Sequence, residues 1–437
     1  APERFAVTYR FPKNFMLKEL VYSKQTSSGA EFSTKKLKYA DYGFYGVVSI
    51  KNKETNKYEK LFSSGKETKI INMSDYLDAD GSLTLYYSVE YISSKELGNL
   101  CLPEVKLAGN YEKETSEIYF TSGGTESDNI AMLGYALKNR KRGNKIITTK
   151  AEHPAVLECC KHLESVGFNV VYANLLPSGV VDEGELLNEV DADTILVSVM
   201  HVNNETGAVM PIEKIGPAVK AKNPNCAFFS DAVQSFGKIK IDAEKAKLDM
   251  LSASAHKIGG PNGIGFIYIR KKTRIESPVF GGGQERGIRS GTHNVAGILG
   301  FLKACEIKQK FMQTDREKLR EVKNIIEESV KKLPYTRVNS PENGLEYILN
   351  VSFTGLKSEV ILHVLESNGI FVSSGSACSS RKTHVSHVLD AMGIDKKSAE
   401  GAVRFSFSPN NTADDARYVA QVLEREIPVL QKTVNLK

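Results

Sequence analysis

Residues 117–138 read EIYFTSGGTESDNIAMLGYALK, which joins a short apolar run, a glycine turn and an amphipathic segment without a linker. The run at 117–120 is typical of a buried strand, and the apolar residues of 127–138 recur at helical spacing. A strand that passes through a tight turn into a helix begins a crossover, in which the helix covers one face of a parallel sheet. This stretch therefore predicts an α/β fold.

The alternation of strands and helices continues toward the C-terminus. Six further apolar runs follow, at 145–149, 168–173, 194–200, 226–230, 249–254 and 264–270. The segments between the early runs are long enough for right-handed crossovers, so we expect a mostly parallel sheet of seven strands. Fewer than a dozen residues separate the last two runs, which is too short for a crossover, so the final strand is expected to be antiparallel.

The chain before this sheet has a different pattern. It is rich in Phe and Tyr, and runs such as 5–9, 46–51 and 82–91 alternate between apolar and polar residues. Such alternation is typical of antiparallel strands with one solvated face. We therefore expect a β-rich N-terminal segment over 1–112, interpreted as an accessory or interaction module.

The chain after the sheet predicts a smaller α/β unit. A charged helical stretch leads to three strand-like runs and a closing helix, at 309–332, 346–353, 369–373, 402–407 and 414–426 in that order. We therefore expect a large domain at 113–305 and a C-terminal small domain at 306–437.

Composition restricts the class of protein. The chain has 437 residues, of which 41% are hydrophobic and 25% charged, and its net charge is +6. These values are typical of a globular protein and exclude collagen-like, coiled-coil and wholly disordered chains. No apolar run approaches the roughly 18 residues that cross a bilayer, and basic and acidic residues are interspersed. We expect neither a membrane segment nor direct contact with nucleic acid.

The six cysteines show no CxxC or CxxH spacing, so we expect no metal site within the chain. They are predicted to be free thiols in a reducing compartment, the cytoplasm. We interpret Cys159, Cys160, Cys226 and Cys305 as inert buried residues. Cys378 differs, because it lies in the small polar loop 373–380, where a thiolate could reach a substrate.

Loops at the carboxyl ends of the strands form the ligand site in open α/β sheets. The loop at 121–127 follows the first strand and begins a helix. Gly123 and Gly124 allow close approach of the backbone, and the hydroxyl of Thr125 beside a helix N-terminus suits an anion such as a phosphate. The alternative is a glycine-rich turn that binds no ligand.

Two further strand ends carry Lys257 and Asp231. A lysine in a glycine-rich loop can be desolvated and form a Schiff base, and pyridoxal phosphate is the cofactor most often held in this way. Asp231 could pair with the ring nitrogen of that cofactor, and Gln234 or Asn204 could donate to its ring oxygen. The alternatives are a surface lysine at position 257 and turn capping by Gln234 and Asn204.

Seven motifs occur in the order found in the cysteine desulfurases, which are class V aminotransferase-like, fold-type-I pyridoxal phosphate enzymes. They lie at 121–129, 152–154, 201–207, 230–234, 254–261, 281–292 and 373–380. The chain therefore resembles this family over about residues 113 to 430, whereas residues 1–111 do not match it.

The resemblance implies how the cofactor is held. Lys257 would form the Schiff base, His153 would stack on the ring and act as an acid–base group, and Asp231 would pair with the ring nitrogen. The phosphate would be held by Thr125, Ser254 and His256, and Thr292 would reach the phosphate of the neighbouring subunit in a homodimer.

The resemblance also implies the reaction, the conversion of L-cysteine to L-alanine with the sulfur kept as a persulfide on Cys378. Arg404, with Asn204 beside it, would grip the substrate carboxylate. The sulfur would pass to an acceptor protein, such as a scaffold for iron–sulfur cluster assembly, a sulfur carrier or a tRNA-thiolating enzyme. The alternatives are a selenocysteine lyase, an aminotransferase or β-lyase in which Cys378 is incidental, and a catalytically weak scaffold that binds partners through residues 1–111.

Overall fold

The computed structural model describes residues 117–374 and 386–434 with their side chains, together with the backbone of Asn435 and of seven strands between residues 4 and 106. The chain forms two compact units, residues 1–99 and residues 100–437.

The described strands of the N-terminal unit form two antiparallel sheets. Its strands are β1 (Arg4–Tyr9), β2 (Glu19–Tyr22), β3 (Phe44–Lys51), β4 (Tyr58–Lys60), β5 (Lys69–Asn72) and β6 (Leu83–Tyr91). The larger sheet has the order β1-β6-β3-β4, and β2 pairs with β5. Antiparallel strands therefore form where the alternating runs predict them.

The second unit is built on a seven-stranded sheet of order β10-β9-β11-β12-β14-β15-β8. The strands are β8 (Ile118–Thr121), β9 (Lys145–Thr149), β10 (Asn169–Ala173), β11 (Thr194–Ser198), β12 (Ala227–Asp231), β14 (Met250–Ser254) and β15 (Gly265–Ile269). β15 runs antiparallel to both of its neighbours, β14 and β8, and opposite to the other six strands, which confirms the prediction for the last strand. Strands β9, β11, β12, β14 and β15 are buried throughout, as expected of a sheet covered on both faces.

Helices cover this sheet. The first begins after β8 at Gly124–Asn129 and continues through a π-turn at Ile130–Gly134 into Tyr135–Asn139. The others are Pro154–Ser165, Glu183–Asn188 and Ile212–Lys222. Ile130 and Val156 of these helices pack with Ile146, Leu196 and Phe229 of the strands in one buried cluster.

A two-residue strand, β7 (Val105–Lys106), also belongs to the second unit. It pairs in parallel with β13 (Ile241–Asp242), which lies between β12 and β14 in the sequence. The sequence-based division placed residues 105–106 in the N-terminal segment, whereas the compact unit that contains them begins at residue 100. The division of the remainder at residues 305 and 306 stays a prediction.

A helix of 38 residues, Val295–Lys332, connects the large sheet to the C-terminal part. Near its start Phe301 stacks on Phe266 of β15 at 5.8 Å between ring centroids. Near its end Val330 joins the core of an antiparallel sheet, in which β17 (Ile348–Phe353) lies between β16 (Thr336–Val338) and β18 (Ala402–Ser406). The described part of the chain also contains the helices Ser358–Ser367, His387–Ala391, Lys396–Glu400 and Ala413–Asn435.

The predicted strand at 369–373 is wrong, because its first residues end the preceding helix. Gly369 has φ +73° and donates its N–H to the carbonyl of Glu366, and the N–H of Ile370 donates to the carbonyl of Leu365. This is a helix C-terminal motif that uses a left-handed glycine. Only Ser373 then pairs with the sheet, through a bridge to Arg404. Among the residues the structure describes, no helix has the length and apolar character needed to cross a membrane.

Candidate active site

One cavity opens where the carboxyl ends of the central strands meet, and it collects most of the sequence-predicted site residues. It is lined by Gly124, Thr125, Asp128, His153, Met200, Asn204, Asp231, Val233, Gln234, His256, Lys257 and Arg404. Residues far apart in the sequence converge here because parallel strands place their carboxyl ends at one edge of the sheet.

Lys257 reaches the cavity from a short 3-10 turn, Ala255–Ile258, which follows β14 directly. The turn ends at Gly259, whose φ of +84° suits a residue without a Cβ. Lys257 is half-buried, and its positive charge is one cause of the lowered pKa of His153. The strand and the glycine turn thus fix the position of an amine inside the cavity.

Asp231 is the last residue of β12 and is almost fully buried. Its Oδ1 accepts a hydrogen bond from the backbone N–H of Val233 at 2.8 Å, and Ser252 Oγ lies 3.5 Å from the same oxygen. Burial raises the pKa of this carboxyl above its ordinary value, while the charges of His153 and Lys257 act in the opposite direction. A cationic ligand group in the cavity would strengthen that opposing effect.

His153 caps the helix Pro154–Ser165. Its Nδ1 accepts a hydrogen bond from the N–H of Ala155 at 3.2 Å, which satisfies a donor of the first helical turn. Because Nδ1 accepts, the proton of the neutral imidazole is on Nε2. Burial lowers the pKa of His153, which favours this neutral form.

The loop after β8 presents backbone and hydroxyl donors. A Cβ on Gly124 would lie 2.5 Å from Cγ2 of Val233, so only glycine fits where this backbone lines the cavity. Ser254 does not line the cavity, but its Oγ lies 2.7 Å from Nδ1 of His256, which does. Glu126 fixes the turn, since it accepts from the N–H of Ser122 at 2.5 Å and pairs with Arg289 at 2.8 Å.

Two cavity residues, Gln234 and Arg404, are held by hydrogen bonds, and the partner of Gln234, Lys238, is one that sequence reasoning missed. Lys238 is buried, and its Nζ donates to Oε1 of Gln234 at 3.2 Å, so the amide NH₂ of Gln234 is the group available to a ligand. Burial and the charge of Lys257 lower the pKa of Lys238 to about 7. On the other side, Nη1 of Arg404 donates to the carbonyl of Asn204 at 3.0 Å.

Asp128 is another cavity residue that sequence reasoning missed, as are Met200 and Val233. It is a buried carboxyl that lines the cavity from the first helix. Its position four residues after Gly124 was a usable signal, because residues i and i+4 share a helix face.

Thr292 does not line this cavity. Thr292 is exposed in the loop before the helix Val295–Lys332, and its predicted role concerns a neighbouring subunit. Cys378 lies outside the described residues. On either side of its segment, Ser373 exchanges backbone hydrogen bonds with Arg404, and Ser386 Oγ donates to Oε2 of Glu205 at 2.5 Å.

The donor set fits pyridoxal phosphate, the cofactor that the resemblance implies. Lys257 offers an amine for its aldehyde and Asp231 a carboxylate for its ring nitrogen. The side-chain-free backbone at Gly124, which a Cβ would obstruct, lies next to the hydroxyl of Thr125 and near His256, and these are suitable donors for a phosphate.

The chain is similar to known proteins over the part that contains this cavity. The family model described as aminotransferase class-V matches residues 106–419. A cysteine desulfurase IscS of Clostridium botulinum is 42% identical over 338 residues, which are 76% of this chain and 84% of that protein. One from Methanosarcina thermophila is 41% identical over 336 residues, 77% of this chain and 82% of that protein.

The chain is also similar to solved structures. A NifS-like protein superposes with a TM-score of 0.71 at 37% identity and covers 77% of this chain and 88% of its own. SspA in complex with cysteine gives a TM-score of 0.60 at 34% identity, over 72% of this chain and 86% of its own. The chain therefore belongs to the cysteine desulfurases of the aminotransferase class-V family, which are pyridoxal phosphate enzymes.

Proposed function

We propose that this protein is a cysteine desulfurase that converts L-cysteine to L-alanine and keeps the sulfur as a persulfide on Cys378. The observation that carries the proposal is the single cavity that holds Lys257, Asp231, His153 and Arg404. An amine, a buried carboxylate, an imidazole and a guanidinium together provide what a pyridoxal phosphate enzyme needs to act on an α-amino acid.

In this proposal the cofactor is held by seven groups besides Lys257. His153 covers the ring, Asp231 faces the ring nitrogen, and Gln234 and Asn204 face the ring oxygen. Thr125, Ser254 and His256 bind the phosphate. When bound, pyridoxal phosphate supplies an electron sink for the carbon that carries the substrate amine.

The remaining groups act on the substrate. Arg404 binds the carboxylate of L-cysteine, and its bond to the carbonyl of Asn204 holds the guanidinium in place. Lys257 Nζ moves the proton on the α-carbon, and His153 Nε2 exchanges a proton with the substrate thiol. The Cys378 thiolate then attacks the substrate sulfur, so an S–S bond forms while the C–S bond breaks. The carbon skeleton takes up a proton and leaves as alanine.

Two observations support Cys378 as the nucleophile. Cys159, Cys160, Cys226 and Cys305 are buried, as the sequence predicted. Burial raises the pKa of Cys159 and of Cys226 to about 12, so neither forms a thiolate at neutral pH. In addition, the residues on both sides of the Cys378 segment are bonded near the cavity. Ser373 bonds to Arg404, which lines the cavity, and Ser386 bonds to Glu205, the neighbour of the lining residue Asn204.

Cysteine desulfurases act on cysteine and pass sulfur to acceptor proteins. For this chain we propose an iron–sulfur assembly scaffold, a sulfur carrier or a tRNA-thiolating enzyme as the acceptor. We also propose a cytoplasmic homodimer, in which Thr292 binds the phosphate of the neighbouring subunit, without contact to membrane or nucleic acid.

The test is to supply L-cysteine and a reductant to the purified protein and to quantify alanine and sulfide together. We expect equal amounts from the native protein and neither product from Cys378→Ala. Cys305→Ala, which changes a buried thiol, is the matched control and is expected to keep turnover. Full alanine production by Cys378→Ala would assign the protein to another reaction class.

A further inference from the structure

Asp128 is a cavity residue to which the proposed function gives no role. Its carboxyl is 1% exposed on the first helix, and its Oδ1 lies 2.6 Å from Ser252 Oγ, within hydrogen-bond distance. Ser252 is fully buried on β14, and its Oγ also lies 3.5 Å from Oδ1 of Asp231. One serine hydroxyl therefore lies between the carboxyl groups of Asp128 and Asp231.

The contacts of Asp231 distinguish its two oxygens. The N–H of Val233 and the hydroxyl of Ser252 both approach Oδ1. In the proposed function Oδ2 is then the oxygen for the ring nitrogen. A hydroxyl between two carboxyl groups can donate to only one of them at a time, so the protonation of Asp128 decides whether Ser252 supports Oδ1 of Asp231.

Charge favours a neutral Asp128. A third buried carboxyl, Glu152, lies near the same pair. Burial raises the pKa of all three carboxyls, and the charge of Asp231 raises the pKa of Asp128 and of Glu152 further. Lys257 and His153 offset this effect at Asp231, whereas Asp128 faces Asp231, Glu152 and the thiol of Cys159. Buried carboxyls this close do not all ionise, and the one with cationic neighbours keeps its charge.

We propose that Asp128 is a positioning residue that, as a neutral acid, donates to Ser252 Oγ so that the Ser252 hydroxyl donates to Oδ1 of Asp231. The relay Asp128–Ser252–Asp231 fixes the ionised carboxylate of Asp231 and reserves Oδ2 for the ring nitrogen. This inference rests on the proposed use of Asp231 toward pyridoxal phosphate.

The test measures cofactor binding and the pH titration of the visible absorbance band of the loaded protein, without substrate. Asp128→Asn keeps a neutral group that can donate to Ser252, so its affinity for pyridoxal phosphate and its titration midpoint are expected to match the native protein. Asp128→Ala removes the donor and should weaken cofactor binding roughly tenfold, the effect of losing one hydrogen bond that supports a charged group.

Ser252→Ala breaks the relay without changing either carboxyl, and it should reproduce the loss seen in Asp128→Ala. Its matched control is Ser235→Ala, another fully buried serine, whose Oγ donates to the backbone carbonyl of Ala232 at 3.2 Å. Native affinity in both Asp128→Ala and Ser252→Ala would overturn the relay. A lowered midpoint in Asp128→Asn would also overturn it, because that shift requires an ionised Asp128.

These outcomes are separate from a failure of the proposed function. If native protein gives no visible band with pyridoxal phosphate, or if Lys257→Ala keeps the same band, the cofactor assignment fails and the relay loses its purpose. If the native band depends on Lys257 but does not depend on Asp128 and Ser252, only the relay is wrong.

Discussion

Glu152 shows how a buried carboxyl is stabilised below the cavity. Its Oε1 accepts from Oγ1 of Thr149 at 3.0 Å and from the N–H of Met200 at 2.8 Å. Both hydrogen bonds need only an acceptor oxygen, which a neutral acid or an amide also provides. Burial raises the pKa of Glu152 to about 8, so the folded protein keeps this proton at neutral pH.

Glu152→Gln is therefore expected to change the pH dependence of stability. Between about pH 4.5 and pH 8 the unfolded native chain releases the Glu152 proton while the folded chain retains it, so the unfolding free energy of the native protein falls as pH rises. Glutamine does not titrate. The variant should gain stability relative to native protein between pH 5.5 and pH 8, by roughly 1–4 kcal/mol.

Urea denaturation at both pH values measures this difference. Glu342→Gln, at an exposed glutamate, is the control and should show a much smaller change between the two conditions. A difference between Glu152→Gln and native protein that stays constant from pH 5.5 to pH 8 would contradict the neutral state of Glu152.

Asp231→Ala is expected to affect turnover more than substrate binding. The carboxylate is placed to stabilise charge on the cofactor ring, whereas Arg404 is the proposed contact for the substrate. We expect kcat to fall by roughly a hundredfold or more at saturating cofactor, with a much smaller change in KM for L-cysteine. Steady-state kinetics of the variant measure both constants. A rise in KM as large as the fall in kcat would argue against this role.

The sequence predicts the cavity well where a residue terminates a strand and less well where it supports another side chain. Asp231 and Lys257 could be predicted because each follows an apolar run at a sheet edge. Lys238 could not, because its role depends on packing that places its Nζ beside Gln234 in the folded chain. Its charged side chain alone predicts a solvent-exposed position.

At the scale of elements, the helix Ile212–Lys222 packs so closely that it needs a glycine. A Cβ on Gly216 would lie 1.8 Å from the backbone oxygen of Ala246 and 2.7 Å from Cδ1 of Phe228. Backbone atoms cannot rotate away, so Gly216→Ala should destabilise the protein by about 1–3 kcal/mol. Thermal unfolding of the variant measures the loss.

Gly184→Ala is the matched control in the helix Glu183–Asn188. The nearest atom to its Cβ would be Oδ1 of Asp182 at 3.3 Å, so this side-chain atom needs to shift by only a few tenths of an ångström. Because alanine favours a helix over glycine, this variant should be unchanged or more stable by up to about 1 kcal/mol. Equal stability of the two variants would show that the contact at Ala246 relaxes.

Helix boundaries were harder to predict than the existence of helices. The long helix begins at Val295 instead of residue 309, and the side chain of Asn294 accepts from the N–H of Gly297 at 3.0 Å as its N-cap. Asparagine is a favoured residue at this position, so the signal was present in the sequence. Residues 295–308 are mostly apolar because they pack against the sheet, as the contact of Phe301 with Phe266 shows, and such a run does not distinguish a buried helix from a strand.

At the scale of the whole molecule, local patterns predict elements but not their pairing. The alternation in residues 4–9 and 83–91 indicates two strands, and yet nothing in either run shows that β1 pairs with β6. The parallel sheet was more predictable, because crossover connections limit which strands can be neighbours. The boundary between the two compact units has no local signal, since it depends on the pairing of β7 with β13.

Removal of residues 1–99 should leave the fold of residues 100–437 intact, because the seven-stranded sheet and every cavity residue belong to that unit. A shorter chain that begins at Lys113 also loses β7, the strand that pairs with Ile241 and Asp242. Thermal unfolding should place its midpoint about 2–4 °C lower for each kcal/mol lost.

Addition of pyridoxal phosphate should give both truncated chains the visible band of the full chain. Equal midpoints for the two truncations would show that β7 contributes nothing, and absence of the band from the chain beginning at Leu100 would show that the cavity requires residues 1–99.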